Sequence, residues 1–294
     1  MACSRVAASN RDHSLCERFE RTNLSTAKAC STSLVPLIYH AIGGANIPYV
    51  VRATSLANSN YRLNYHTDET ALAYIEEKCG PTIKNAFACF TAPAYRADLF
   101  RFCALYAEGG VYMDADVFPL HPINELYDPC SSLSVGADFP HGGKQGAQMK
   151  IIAAQPGNRV AKCMLGRIHS HVAWRYVPAS DLYVSGPSLL SECLWNHSSE
   201  DVSYTYIDTR DAAWPFTGMR TRDKLLAFEV PNEKRAWKKE DMQDYALLHK
   251  SGNVYTEDCR VEKVDLPHYK TIATPKPQTT KDSFFMRVVR WAPS

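Results

Sequence analysis

No Cys-x-x-Cys pair occurs among the ten cysteines of this 294-residue chain, and they form no compact cluster. Zinc-ribbon spacing is therefore absent. Gly-x-Gly-x-x-Gly and the phosphate-cradling P-loop are missing too, which leaves ATP and dinucleotide enzymes without support. No apolar stretch approaches the ~18 residues that a membrane span needs. The N-terminal run MACSRVAASNRDHSLCERFERTN carries charges throughout and has no continuous apolar segment, so it does not read as a secretory signal. Net charge is only +2, from 33 basic and 31 acidic residues, so there is no bulk electrostatic case for nucleic acid. No internal repeat is found.

What remains is an ordinary globular composition, 45% apolar with a mean hydropathy of −0.31. The length suits one large α/β domain or two small ones. Sixteen tyrosines are spread along the chain, a distribution that suits a core and a sugar-binding cleft equally. Several cysteines fall at apolar helix positions, where a buried thiol behaves as a small hydrophobe. They are expected to be mostly reduced, in a cytoplasmic protein that is soluble or peripheral. A secretory-pathway lumen fits only if an anchor has been removed. Two Asn-x-Ser tripeptides, at Asn23 and Asn196, point the other way.

Residues 1–33 are polar and read as an irregular arm. The run LVPLIYHAI (34–42), stopped by Gly43-Gly44, reads as a buried strand. A helix is expected over PYVVRATSLANSN, a strand over YRLNYHTD, and a helix over ETALAYIEEKCG, capped by Thr67 or Asp68 and closed by Gly80. Pro93 opens a helix over 94–108 that Gly109-Gly110 ends, and VYMD follows as a strand. Further strands are expected at LSVGAD, MKIIAA, VSYTYI, LLAFEV and YALLHK, with helices near 158–176 and over 187–196. This alternation predicts an α/β fold, a mostly parallel central sheet with helices on both faces, over residues 34–270. Residues 271–294 read as a Pro/Thr linker and a short basic, aromatic segment. It is expected to dock as a helix, with peripheral membrane contact as the alternative.

One stretch concentrates the chemistry. YRADLFRFCALYAEGGVYMDADVFPL (95–120) sets Asp114 and Asp116 at the carboxyl end of an expected strand. Ligands gather at such ends in parallel sheets. Seventeen aspartates in the chain make one Asp-x-Asp unremarkable by itself, and a solvated acidic turn is the plain alternative. A hard divalent cation held by two carboxylates completes its shell with phosphate oxygens and water, so a diphosphate is the natural ligand of such a half-built site. Asp98 and Arg101 lie three apart on the preceding helix and share a face.

Residues 97–117, ADLFRFCALYAEGGVYMDADV, resemble the signature of DXD glycosyltransferases of family 32 type: a helix with S-D-x-x-R, an L-Y-x-x-G-G turn, then V-Y-L-D-x-D. Similar runs occur in α-1,6-mannosyltransferases, α-1,4-galactosyltransferases and clostridial glucosylating toxins. Ala97 departs from the usual Ser. Weaker likenesses lie at VPLIYHAI (35–42), IIAAQPGN (151–158), YVSGPSLL (183–190) and ALLHKSG (246–252).

The resemblance implies a GT-A fold and a metal-dependent, retaining glycosyltransferase. It would move a sugar from a UDP- or GDP-sugar to a hydroxyl of a glycan or protein acceptor, with Mn²⁺ or Mg²⁺ as cofactor. Asp116 would be the principal metal ligand and Asp114 would act through water or on the donor, with His249 completing the metal site. Asp98 and Arg101 would hold sugar hydroxyls and diphosphate, and Tyr112, His40 and Ala115 would line the donor pocket. Gln148 is a candidate for the sugar's β face. The rival readings are a haloacid-dehalogenase-type phosphatase, whose D-x-D-x-[TV] string MDADV also fits, and a catalytically inactive sugar-nucleotide or glycan-binding protein.

Overall fold

The computed structural model describes residues 32–141, 144–197, 201–210, 217–221, 224–230 and 244–263. The elements run β1 (Ile38–Ile42), α1 (Tyr49–Ala57), β2 (Arg62–His66), α2 (Asp68–Cys79), α3 (Pro81–Ala88), α4 (Pro93–Ala107), β3 (Gly110–Met113) and β4 (Val117–Pro119). Then follow β5 (Leu133–His141), β6 (Lys144–Ala154), α5 (Arg159–Ala173), α6 (Pro187–Asn196), β7 (Val202–Arg210), β8 (Thr217–Arg220), β9 (Leu225–Glu229) and α7 (Tyr245–Lys250). The α/β class expected from the alternation is present.

Local chemistry explains the boundaries near the site. Thr67 caps α2 through a reciprocal box with Thr70. Pro81 and Pro93 occupy first-turn positions of α3 and α4, where a missing N–H costs nothing. Between α4 and β3 the chain turns through Gly109 (φ 65°) and Gly110 (φ 99°), both left-handed. A Cβ on Gly109 would meet the Pro156 ring nitrogen at 2.7 Å, and one on Gly110 would meet the Ile38 carbonyl at 2.6 Å. Only glycine delivers the end of α4 so tightly onto the sheet.

Nine strands form one sheet in the order β2-β1-β3-β6-β5-β7-β8-β9-β4. Parallel pairing joins β1 to β2 and β3, and β5 to β7. The remaining neighbours are antiparallel. The expected parallel character is thus confined to two parts of a mixed sheet. The reason is local: β6 inserts antiparallel between β3 and β5, and β7 to β9 are joined by short connections that only antiparallel partners allow.

The helices α2 to α6 bury one face of the sheet in a core that includes Phe87, Phe100, Leu105, Met164 and Leu189. A second core, with Tyr39, Val51, Val111, Met113, Tyr206 and Met219, fills the other face. There Gly136 makes room for the Tyr206 ring, whose atoms come as near as 2.3 Å to the place of a Cβ. The Tyr206 hydroxyl in turn accepts from the Ile151 N–H at 3.0 Å.

Two expectations are corrected. YALLHK is helix α7, not a strand: Asp244 caps it by accepting from the Ala246 N–H, and Leu248 is its one buried position, which is no alternating pattern. Nor are the cysteines among the described residues reduced. Disulfides join Cys79 to Cys103, Cys89 to Cys259 and Cys163 to Cys193, and Cys130 is disulfide-bonded as well. The six cysteines of the three named pairs meet across helix pairs or at a chain end, which linear spacing does not reveal. The arm up to residue 31 and the segment 264–294 lie outside the described residues. Among the described residues no helix is long and apolar enough to cross a membrane.

Candidate active site

The site lies where α4 passes the carboxyl end of β3. Arg101, 4% exposed, is its hub. Its guanidinium donates from Nη1 to Asp98 Oδ1 at 3.0 Å and from Nη2 to Asp114 Oδ1 at 2.7 Å. It lies 4.4 Å above the Tyr112 ring, a cation–π contact that fixes its plane. Burial acts against its charge, yet Tyr112, Asp114 and Asp98 raise its affinity for the proton above the ordinary value. Burial likewise raises the Tyr112 hydroxyl above its usual range.

Asp98 has a second partner that sequence reasoning missed. The Ser185 hydroxyl donates to Asp98 Oδ2 at 2.7 Å, and Ser185 is completely buried. Burial pushes the Asp98 carboxyl up to about 7, against the opposing pull of Arg101 and the Ser185 hydrogen bond. Ser185 immediately precedes the Gly186-Pro187 start of α6. Its place in YVSGPSLL was the available signal, read there only as a helix start.

Asp114, Ala115 and Asp116 form the turn between β3 and β4. The Val117 N–H closes it on the Asp114 carbonyl at 2.9 Å. Both carboxylates are half-buried, and Ala115 packs against the second core. Gln148, on β6, donates to Asp138 Oδ2 at 3.0 Å. Lys150, two residues on, pairs with Asp208 and with Glu229 Oε1 at 2.7 Å. Burial opposes the Lys150 charge, but the two carboxylates outweigh it and hold its proton more tightly than usual. Burial raises Asp208 to about 6 despite Lys150. No linear motif marked Lys150, Asp208 and Glu229, because they come from three separate strands.

Two expected site residues make contacts of another kind, although His40 is the cross-strand partner of Tyr112. His40 is fully buried behind the glycine turn, with Nε2 donating to the Gly109 carbonyl at 2.8 Å and Nδ1 accepting from Asn64 at 2.9 Å. Burial lowers it to about 4, so it is a neutral strut that holds the turn. His249 Nε2 donates to the Pro178 carbonyl at 2.7 Å. Among the described residues no three His, Cys, Asp or Glu side chains converge as a metal site, so His249 is not brought to the acid pair.

The remaining donor set fits a cation in one way only. Two carboxylates on a three-residue turn, one of them also engaged by Arg101, are too few for an all-protein cage. They match a hard cation that arrives with a diphosphate and completes its shell from phosphate oxygens and water.

Residues 46–132 match the family model described as "Glycosyltransferase sugar-binding region containing DXD motif". The matched region contains Asp98, Arg101, Tyr112, Asp114 and Asp116. Among solved structures, the chain is similar to PaToxG glycosyltransferase at 13% identity, over 63% of this chain and 75% of that one, with a TM-score of 0.40. The catalytic domain of alpha-toxin from Clostridium novyi is similar at 9% identity over 86% and 84%, with a TM-score of 0.39. The UDP-bound glycosyltransferase domain from the YGT toxin is similar at 11% identity over 52% and 54%, with a TM-score of 0.34. No curated protein matches the chain.

Proposed function

We propose that the protein is a metal-dependent, retaining glycosyltransferase of GT-A type. It moves a sugar from a UDP- or GDP-sugar to a hydroxyl of a glycan or other acceptor and forms an α-linkage. The observation that carries this reading is the single guanidinium shared between Asp98 and Asp114. It joins a helix-borne sugar grip to the turn that bears both metal-site acids.

In this reading Asp114 and Asp116 hold Mn²⁺ or Mg²⁺ together with the donor diphosphate. The bound cation supplies charge neutralisation for the leaving diphosphate. Arg101 adds a fixed positive charge in a site shielded from water, where its preorganised donors need no rearrangement. Asp98 accepts from sugar hydroxyls through lone pairs left over from Arg101 and Ser185. Tyr112 fixes the plane of the guanidinium, and Gln148 faces the β side of the sugar.

A phosphatase of the haloacid-dehalogenase type needs its first aspartate as a nucleophile. Here the first aspartate, Asp114, is held by a buried guanidinium, which suits orientation and not attack. We further propose that the protein works in an oxidising compartment. Three disulfides among the described residues support that location, since such bonds persist where thiols are not kept reduced.

The test is a panel of UDP- and GDP-sugars with Mn²⁺, scored by thermal stabilisation and by release of nucleoside diphosphate. Metal-dependent stabilisation and release by at least one donor is the expected result. Hydrolysis of phosphate esters with no response to any nucleotide sugar would replace the transferase reading by the phosphatase one.

A further inference from the structure

The turn Asp114-Ala115-Asp116 is three residues long, yet the strands it joins, β3 and β4, are not neighbours. Five strands, β6-β5-β7-β8-β9, stand between them in the sheet. The sheet therefore curls until its last strand returns to β3, and the acid pair lies at the seam. The strands flanking the seam are β6, beside β3, and β9, beside β4.

Hydrogen bonds tie these flanking strands to both ends of the turn. The Asp114 N–H donates to the Lys150 carbonyl at 2.9 Å, one step beyond the Met113–Ile151 pair. Glu229 is paired with Val117, and the Val230 N–H donates to the Asp116 carbonyl at 2.8 Å. The Lys150 ammonium then reaches Glu229 Oε1 at 2.7 Å, and Asp208 of β7 holds the same ammonium. A closed circuit results: Asp114 to Lys150, Lys150 to Glu229, Glu229 to Val117, and Val117 back to Asp114.

We propose that Lys150 and Glu229 are positioning residues that clamp the seam of the sheet and fix the span of the Asp114–Asp116 turn, so that both carboxylates address one divalent cation. The proposal rests on the reading of that turn as a metal site. Without the clamp, the seam between β6 and β9 is held only by the backbone hydrogen bonds of the turn and by the strands between them, and the span of the turn is less firmly fixed. The Lys150 and Glu229 side chains are about four-fifths buried or more (19% and 14% exposed), so water competes poorly for the pair. A cation held by few protein ligands depends on their spacing, because Mg²⁺ and Mn²⁺ tolerate little distortion. Neither side chain is required to touch substrate.

The test uses the full chain with Lys150→Met, Lys150→Arg and Glu229→Gln. Mn²⁺ binding is measured by electron paramagnetic resonance in the presence of UDP, and separately of GDP. Hydrogen exchange of the Val117 and Val230 amides is followed without metal. Expected are faster exchange at both amides and at least about tenfold weaker Mn²⁺ binding in Lys150→Met, with Lys150→Arg close to wild type. Glu229→Gln, which keeps the Lys150–Asp208 pair, should show the same direction and serves if Lys150→Met does not fold. A folded Lys150→Met or Glu229→Gln with wild-type exchange and wild-type Mn²⁺ affinity overturns the clamp while leaving the transferase reading intact. Absence of Mn²⁺ binding by wild type with both diphosphates overturns the metal-site reading itself, and the clamp with it.

Discussion

Arg101 on α4 holds Asp114 at the end of β3 across a 2.7 Å ion pair, with its other amino group 3.0 Å from Asp98. The arginine is thus both the keystone of the helix–strand junction and a cation paired directly with one of the proposed metal ligands. Arg is suited to this double task because its fork is planar and always charged, whereas Lys offers a single point charge.

Replacing Arg101 separates the two roles. Arg101→Met removes the guanidinium from largely buried Asp98 and from half-buried Asp114, and should cost about 3 kcal/mol of stability by thermal or denaturant unfolding. Arg101→Lys keeps the charge but loses the fork. It should cost less stability while still weakening nucleotide-sugar binding at least about tenfold by calorimetry.

Asp98 makes the site pH-dependent. Its folded carboxyl, raised to about 7, sits above the ordinary 3.8 of the unfolded chain. Its contribution to stability is therefore fully present below about pH 4 and is lost as pH rises towards 7. Binding runs in the opposite direction: sugar recognition by ionised Asp98 should strengthen as pH rises through 7. Asp98→Asn should flatten both trends, read by unfolding and by donor titration across pH 5–9 (about neutral on either side).

Ser185→Ala should act on the sugar and not on the nucleotide. Asp98 Oδ2 loses its buried donor, at a cost of about 1–3 kcal/mol in stability. Affinity for the nucleotide sugar should fall while affinity for the bare nucleoside diphosphate with Mn²⁺ stays constant. An equal loss for both would show that Ser185 supports the whole fold instead of Asp98.

The disulfides brace the helix that carries the site. Cys103 lies two residues beyond Arg101 on α4 and is tied to α2, while Cys89–Cys259 draws the end of the described chain to the segment between α3 and α4. The loop closed by Cys89–Cys259 spans 170 residues against 24 for Cys79–Cys103. Cross-linking theory makes the longer closure worth more, roughly 5 kcal/mol against about 3.5. Cys259→Ser with Cys89→Ser should lower the unfolding midpoint more than Cys79→Ser with Cys103→Ser, measured by calorimetry without reductant.

Local signals carried much of the fold. Thr67, Pro93 and the glycine pair mark boundaries by caps, fixed φ and left-handed turns, all short-range physics, and the helices around them stand where expected. The cluster around Arg101 was legible because it is contiguous: Asp98, Arg101, Tyr112, Asp114 and the proposed ligand Asp116 come from nineteen consecutive positions on one helix, one turn and one strand. What lay hidden was long-range. The cysteine partners, the Ser185 contact and the Lys150–Asp208–Glu229 cluster depend on how distant segments meet. His249 was named from its position in ALLHKSG; its Nε2 bond to the Pro178 carbonyl, made from a short helix capped by Asp244, had no local signal.

The most direct test of the central claim is calorimetric titration of nucleotide sugars into wild type and Asp116→Ala, each with and without Mn²⁺. The account predicts saturable binding of at least one UDP- or GDP-sugar to wild type that requires the metal, and its loss in Asp116→Ala with the fold retained. Equal binding by wild type and Asp116→Ala, or binding indifferent to Mn²⁺, would contradict it.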